Sequence, residues 1–310
     1  LAGLARQPTG FFQESCMPLR KIVGWLRPNA RRGRVAHWVG KQWAHVAYAR
    51  HVEPTWLELN THPITVRDLP APFAGLRIVQ MSDFHGSRNV SNAFLDEACA
   101  LAQAQQGEVI VLTGDFIHKG FKHVERVARI LGQLRAPMGV FAVLGNHDFS
   151  VRNALGLRRH KHLYRFVADA LAAQGIRVLQ NETQPLLKGD HVVYLTGVDD
   201  LWSRECDLDQ AFAGLRPAVP RVVLAHNPWT IEHVGEHRCD LMLSGHTHGG
   251  QVKLPVLGHV TLGPKGRRFV AGLYRVRDSW LYVNKGVGFG FRVRYGVRPE
   301  VAVLTLVPGP

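Results

Sequence analysis

The sequence predicts an α/β protein in which parallel strands alternate with helices. Apolar runs at 76–81, 109–113 and 139–144 predict strands, and helical patterns at 91–105 and 122–134 separate them. This β-α-β-α-β order favours parallel pairing through right-handed crossover connections. Ser91 is placed to cap the first of the two helices. With 46% apolar residues in 310, the chain has ample material for a core.

The first 52 residues precede this pattern and differ from it. Residues 1–30 carry little periodicity, and we expect them to be poorly ordered. Residues 31–52 are predicted to form a basic amphipathic helix, in which apolar residues recur at helical spacing beside arginines and lysines. The apolar positions are Val35, Trp38, Val39, Trp43, Val46 and Ala47, and the basic ones are Arg31, Arg32, Arg34, Lys41 and Arg50.

This helix has three interpretations. It lies in an anionic membrane interface, or it packs on the folded body of the protein with a solvated basic face. The third is a twin-arginine export signal, with Arg31-Arg32 ahead of a cleavage-like Ala47-Tyr48-Ala49, although Lys41, Gln42 and His45 interrupt the apolar region. We therefore expect a cytoplasmic protein with peripheral membrane contact. No run of 18 apolar residues predicts a bilayer-spanning helix.

Residues 53–310 are predicted to form the folded domain, which Glu53-Pro54 opens. Segments 56–59 and 64–66 are expected to pair as a hairpin of edge strands. Later segments predict a second sheet with short helices: a helix at 163–174, strands at 178, 185–187 and 192–196, and helices at 207–215 and 228–234. From 251 to the end, the Gly-rich chain predicts strands without a further helix.

The net charge and the cysteine spacing indicate which partners, motifs and compartment are expected. The 38 basic and 24 acidic residues give a net charge of +14, which attracts phosphates on nucleotides, nucleic acids or anionic lipids. Cys16, Cys99, Cys206 and Cys239 show no C-x-x-C spacing, so neither a zinc knuckle nor a redox motif is expected. Thiols without a partner pattern are typical of a reducing compartment.

Residues of types that commonly bind metal ions follow five apolar runs of the sequence. They are Asp83, His85, Asp115, Asn146, His226, His246 and His248. Open α/β sheets place their sites outside the carboxyl ends of the strands, so these side chains are expected to converge. In extended chain, residues i and i+2 point the same way, which would direct Asp83 and His85 to one ion. Gly249 and Gly250 leave room for the backbone to pass close to the ligands.

The motif order D-x-H, G-D, G-N-H-D, H and G-H-x-H resembles the calcineurin-like metallophosphoesterase superfamily over about residues 74–306. Several further segments look like its membrane-associated phosphodiesterase branch, which includes a relative acting on UDP-diacylglucosamine. These segments are Asn181-Glu182, Gly197-Val198-Asp199-Asp200, the G-H-T-H-G-G-Q run at 245–251 and Arg298-Pro299-Glu300-Val301. The resemblance implies a four-layer α/β/β/α sandwich of two mixed sheets.

The resemblance also implies two divalent metal ions, which could be manganese, zinc or iron. One ion would be held by Asp83, His85, Asp115 and His248, and the other by Asp115, Asn146, His226 and His246. A hydroxide between the ions would attack the phosphorus of a phosphodiester or pyrophosphate. His147 is the expected general acid or phosphate contact, and Asp148 is expected to orient its imidazole.

The favoured function is therefore a two-metal phosphohydrolase, and a lipid-linked substrate is preferred because the basic helix would bring the site to such molecules. A nuclease or nucleotide phosphodiesterase is the alternative, although no aromatic-basic stacking platform or known nucleic-acid module is present. A non-catalytic scaffold of the same fold is the alternative from another class. The presence of all seven ligand residues argues against the scaffold.

Overall fold

The computed structural model describes residues 30–309 except 152, 154 and 264. The expectation of disorder for 1–30 therefore concerns residues outside this range, apart from Ala30. The chain divides into two units, 1–46 and 47–310, and helix α1 (Ala30–Ala47) forms the described part of the first. In the described range, no helix is both long and apolar enough to cross a membrane.

Strands and helices alternate in the second unit as the sequence predicts. Its described strands are β1 (Glu58–Arg67), β2 (Arg77–Met81), β3 (Val109–Thr113), β4 (Val140–Val143), β5 (Arg177–Val178), β6 (Glu182–Lys188), β7 (His191–Val198), β8 (Arg221–Ala225), β9 (Leu241–Ser244), β10 (Lys253–Leu254), β11 (Gly258–His259), β12 (Gly272–Val276), β13 (Ser279–Val283) and β14 (Glu300–Gly309). Its α-helices are α2 (Asn92–Ala104), α3 (Val124–Leu131), α4 (Leu163–Ala172) and α5 (Leu208–Phe212). Ser91 caps α2 by accepting a hydrogen bond from Phe94 N.

Two six-stranded mixed sheets organise the domain. The first has the order β1-β14-β2-β3-β4-β5, with β14 antiparallel to β2 and the strands from β2 to β5 parallel. The second has the order β12-β13-β9-β8-β7-β6, with β13, β9, β8 and β7 parallel and antiparallel strands at both edges. The predicted fold of two mixed sheets is confirmed.

Apolar side chains fill three layers around these sheets. Between the sheets, Val109 and Val111 of β3 share a cluster with Leu241 and Leu243 of β9. Helices α2, α3 and α4 bury their apolar sides on the other face of the first sheet. The outer face of the second sheet is covered by α5 and by loops that contribute Phe269. Burial on both faces explains why the central strands are continuous apolar runs.

The expected hairpin at 56–66 is wrong. Residues 58–67 form the single strand β1, which pairs in parallel with β14 from the far end of the chain. In a hairpin Asn60 to Pro63 would form the connecting turn, yet their side chains alternate between half-buried and exposed as in a strand. Pro63 is tolerated because β1 is an edge strand, where one side of the backbone needs no ladder partner.

Candidate metal centre

The seven predicted ligands lie on loops that leave the carboxyl ends of central strands. Asp83 and His85 follow β2, Asp115 follows β3, Asn146 follows β4, His226 follows β8, and His246 and His248 follow β9. Hydrogen bonds tie the first two loops together, from Asp83 N to Gly114 O and from His85 N to Asp115 O, both 2.9 Å. The adjacent strand ends therefore present their side chains to one small volume.

The backbone turns sharply at most of these positions. Five ligands have positive φ: Asp83 (53°), His85 (45°), Asp115 (54°), His246 (73°) and His248 (53°). Left-handed backbone is uncommon for residues other than glycine, although Asp and His are among those that adopt it, and it is concentrated at functional sites. The expectation that Asp83 and His85 converge through extended chain is therefore wrong in its geometry, although the two residues do converge.

One group of ligands is formed by Asp83, His85, Asp115 and His248. Their candidate ligand atoms all lie within 4.8 Å of one another. The Nε2 atoms of His85 and His248 are 2.8 Å apart. Asp115 Oδ2 lies 3.4 Å from His85 Nε2, and Asp83 Oδ1 lies 3.2 Å from His248 Nε2. Two nitrogens and two carboxylates directed at one buried point make a donor set for a divalent cation.

A second group shares Asp115 with the first. His226 Nε2 lies 3.4 Å from the same Asp115 Oδ2. His246 Nδ1 lies 2.9 Å from Asn146 Oδ1 and 3.2 Å from His226 Nε2. The structure thus brings all seven predicted residues together, with the Asp115 carboxylate between the two groups.

The protonation state of three of the imidazoles agrees with a role as ligands. Burial, reinforced by neighbouring imidazoles, lowers the pKa of His246 to about 3 and holds the pKa of His85 well below its usual value. Burial also holds the pKa of His248 well below the ordinary range. These rings are therefore neutral near pH 7 and present lone pairs, as metal binding requires.

His226 and Asp115 form the oppositely charged pair in the cluster. Burial alone would lower the pKa of His226, but the Asp115 carboxylate outweighs it and holds that pKa well above the usual value. His226 holds the pKa of Asp115 well below its usual value in return, against the effect of burial. His226 Nδ1 donates to Thr113 O at 2.7 Å, which directs Nε2 to Asp115. A carbonyl partner on the far nitrogen is the usual support of a metal-binding histidine.

His147 lies at the border of the first group. Its ring is 4.7 Å from the ring of His85 and 5.3 Å from the ring of His118. Nδ1 lies 2.6 Å from the carbonyl oxygen of His118, so Nδ1 carries the proton of that hydrogen bond. The other ring nitrogen, Nε2, takes no part in that hydrogen bond.

Asp148 does not orient His147 as expected. Its buried carboxylate accepts hydrogen bonds from the backbone N–H groups of Gly145, Phe116 and Ile117, at 2.9, 3.0 and 3.4 Å. Successive residues of a tight turn direct their side chains apart, so the His118 carbonyl holds the His147 ring instead. Asp148 fixes the loops that carry Asp115 and Asn146 relative to each other.

Sequence reasoning missed the buried support behind Asp83. Arg294 is fully buried, and its Nη2 donates to the carbonyl oxygens of Lys285, Gly286 and Gly288 at 3.0, 3.0 and 2.6 Å. Gly288 N in turn donates to Asp83 O at 2.7 Å. Glu300, from the R-P-E-V segment, accepts from Lys285 N at 2.9 Å. The only signal in the sequence was that segment, which did not reveal its contacts.

Aromatic rings border the second group. The Trp202 ring meets the His246 ring edge-on at 4.4 Å, and the Trp229 ring does so at 6.1 Å. Asp200 accepts hydrogen bonds from Trp202 N and Ser203 N at 2.8 and 3.0 Å. Asp200 therefore acts as a cap for the short turn that carries Trp202.

Comparison with known proteins agrees with this geometry. The profile of the family described as calcineurin-like phosphoesterase matches residues 76–250. Phosphodiesterase YaeI of Escherichia coli (strain K12) is 34% identical over 262 residues, which cover 84% of this chain and 92% of YaeI. The uncharacterized metallophosphoesterase YkuE of Bacillus subtilis (strain 168) is 31% identical, over 84% of this chain and 88% of YkuE.

A third relative is named a pyrophosphatase. UDP-2,3-diacylglucosamine pyrophosphatase LpxG of Chlamydia trachomatis serovar D is 28% identical over 309 residues, which cover 85% of this chain and 93% of LpxG. The three relatives thus align over most of their own lengths.

Proposed function

Because this chain belongs to the calcineurin-like phosphoesterase family, we propose that it is a two-metal phosphohydrolase that cleaves a phosphodiester or pyrophosphate in a lipid-linked substrate. The observation that carries the two-metal proposal is the position of Asp115. One oxygen of its carboxylate lies 3.4 Å from a histidine of each group, as a carboxylate shared by two cations requires.

Membership of the family makes the chain a metallophosphoesterase, which argues against the scaffold alternative. We assign Asp83, His85, Asp115 and His248 to one cation, and Asp115, Asn146, His226 and His246 to the second. Two divalent cations so held supply Lewis acidity to the phosphoryl oxygens and lower the pKa of water. Asn146 contributes a neutral oxygen, which limits the negative charge around the pair.

The protein's own contribution to the reaction centres on His147. Its Nδ1 is engaged by the His118 carbonyl, so the ring is held in one orientation with Nε2 available. When protonated, Nε2 donates to a phosphoryl oxygen or to the departing oxygen, which makes His147 a general acid or phosphate contact. The half-buried side chain is open to substrate while its position is fixed.

The proposal of a lipid-linked substrate has two supports. LpxG, by its name, acts on UDP-2,3-diacylglucosamine, and YaeI is named a phosphodiesterase. Helix α1 carries tryptophans and valines at helical spacing among basic residues, the pattern of an interfacial helix. We place the protein at the periphery of an anionic membrane on these grounds.

The chemistry is tested with metal-stripped protein and two chromogenic esters. Bis(p-nitrophenyl) phosphate and p-nitrophenyl phosphate are offered with manganese, zinc or iron added back, beside an Asp115→Asn variant. We expect metal-dependent turnover of the diester, reduced at least about 100-fold in the variant because the shared carboxylate is lost. Turnover of the monoester alone would overturn the substrate class. Absence of bound metal in the parent protein would overturn the two-metal proposal.

A matched pair of pyrophosphates tests the lipid requirement. UDP-2,3-diacylglucosamine and UDP-N-acetylglucosamine carry the same pyrophosphate linkage and differ in their acyl chains. We expect faster hydrolysis of the acylated compound in detergent micelles. Equal rates would refute the lipid-linked part and leave the chemistry intact.

A further inference from the structure

A small hairpin beside the metal centre exposes apolar side chains to solvent. Strands β10 and β11 form it, and its tip carries Val256, which is fully exposed, and Leu257, which is 68% exposed. Val260 and Phe291, which lies on an adjoining loop, are also exposed. We call Val256, Leu257, Val260 and Phe291 the apolar rim. An exposed cluster of large apolar side chains marks an interaction site more often than an isolated one does.

The backbone conformation of the hairpin tip indicates that the apolar side chain of Val256 has a function. Val256 has φ of 69°, a region that disfavours β-branched residues. Glycine or asparagine would relieve this strain at a turn whose only surroundings were water. A valine that is both strained and fully exposed therefore points to a partner that covers it.

The charge around the rim is positive. Residues 251–268, which include the hairpin and the segment after it, contain no Asp or Glu and carry Lys253, Lys265, Arg267 and Arg268. Lys253, Arg267 and Arg292 are exposed. Arg267 Nε donates to Leu262 O at 3.3 Å, which places this guanidinium at the hairpin. The charge of Arg268 is offset by its ion pair with Glu232. Apolar side chains among exposed cations match the interface of an anionic bilayer.

The hairpin follows directly after the loop that carries His248. Gln251 donates to Phe291 O and Val293 O at 3.0 and 2.9 Å, which joins the hairpin to the adjoining loop. A methyl group on Gly250 would lie 3.0 Å from His259 Nδ1, so the two segments are in close contact. On the other side, a methyl group on Gly290 would lie 3.8 Å from His118 Cε1. The two loops that carry the rim residues therefore adjoin the His248 loop on one side and His118, the neighbour of His147, on the other.

From this juxtaposition we propose that the apolar rim inserts into the surface of an anionic lipid bilayer and holds the metal centre against the membrane. The insertion is independent of helix α1 and adds a second contact from the catalytic domain itself. One shallow contact gives marginal, reversible binding, and two give stable attachment. The orientation of the centre to a lipid phosphoester rests on the proposed function; the insertion does not.

Vesicle sedimentation of the full chain tests the insertion. Vesicles of phosphatidylcholine with 30% phosphatidylglycerol are compared with phosphatidylcholine alone, for the parent protein and a Val256→Ser, Leu257→Ser double variant. Leu187→Ser is the matched control. Leu187 is also an exposed leucine, with 62% of its surface accessible, but it lies on the edge strand β6, in a different sheet from the hairpin. Arg292→Gln tests the cationic part.

We expect the double variant to bind anionic vesicles at least about tenfold more weakly, since it loses the burial of two aliphatic side chains. Arg292→Gln is expected to weaken binding about fivefold, the contribution of one basic residue near an anionic surface. Leu187→Ser is expected to bind like the parent. Equal binding by the double variant and the control, or no vesicle binding by the parent, would overturn the proposal.

Turnover of bis(p-nitrophenyl) phosphate, measured on the same proteins, separates the two proposals. We expect it to be unchanged in the variants, because none of the changed residues belongs to the metal centre. If the parent protein shows no turnover but the double variant loses vesicle binding, the proposed function fails and the insertion stands. If turnover is retained and binding is unaffected, the reverse holds.

Discussion

A single methyl group at Gly145 should displace Asp115 without removing any ligand. Gly145 lies between β4 and Asn146 and does not have positive φ, so alanine is compatible with its backbone. A β-carbon there would lie 2.9 Å from Asp115 Cγ and closer still to Oδ1. The same β-carbon would lie 2.5 Å from Asp115 N, so the loop itself must move.

The size of the effect follows from this overlap. Ordinary contacts of a β-carbon begin at 3.4 Å, so relief of the overlap requires Asp115 to shift by about 1 Å. A misplacement of about 1 Å in a catalytic group lowers turnover by about 100-fold. Overpacking costs about 1–3 kcal/mol of unfolding free energy, a fraction of the stability of a domain, so Gly145→Ala should still fold.

Gly197→Ala is the matched control for the overlap. A β-carbon at Gly197 would lie 2.9 Å from Val143 Cγ1 and closer still to Leu179 Cβ, so the steric conflict is similar but meets apolar side chains. Both variants are assayed for turnover of bis(p-nitrophenyl) phosphate, for bound metal by mass spectrometry and for thermal unfolding. We expect similar losses of unfolding temperature and a loss of turnover and metal in Gly145→Ala alone.

Two outcomes would refute this reasoning. Equal losses of turnover in the two variants would show that general destabilisation, and not the position of Asp115, limits the activity. Full turnover in Gly145→Ala, with the overlap confirmed by a lowered unfolding temperature, would show that the site tolerates a displaced Asp115.

Two further predictions concern groups outside the ligand set. Arg294→Met should weaken metal binding about 10- to 100-fold in a fluorimetric titration, because the carbonyl groups of the 285–288 loop lose their donor, and this loop donates through Gly288 N to Asp83 O. An unchanged titration would contradict it. Burial raises the pKa of Cys99 and Cys239 to about 12, so mass spectrometry should find both unmodified by maleimide at pH 7 in the folded protein and modified in guanidinium. Modification of the folded protein would contradict their burial.

The convergence of the candidate ligand residues could be predicted because strand ends leave a strong local signal. Runs such as Val109–Thr113 are buried on both faces, so they are continuously apolar and easily recognised. Parallel strands place their carboxyl ends at one edge of a sheet, which brings Asp115 next to Asp83 whatever the details of the loops. The position of the site thus depended on topology, and topology depended on patterns within a few residues.

The features that were missed depend on contacts between distant segments. The pairing of β1 with β14 joins Glu58 to Glu300, and no pattern within 56–66 distinguishes it from a hairpin. Asp148 accepts hydrogen bonds from backbone N–H groups of another loop, and no pattern in the sequence predicts these partners. Arginine is normally exposed, and the burial of Arg294 is explained by carbonyl groups of the 285–288 loop that converge on it, with the carboxylates of Asp83 and Glu300 nearby.

The residues with positive φ show how the candidate ligands converge although the expected geometry was partly wrong. An extended D-x-H segment would direct Asp83 and His85 the same way, but the strand ends at Met81 and both residues have positive φ. Each such residue costs about 1–2 kcal/mol relative to ordinary backbone, a cost offset by hydrogen bonds to the neighbouring loop. The strain is therefore concentrated in the loops that carry the charges, while the strands behind them are unstrained. A cation shared through Asp115 would stabilise the folded state alone, because only there do the strand ends meet.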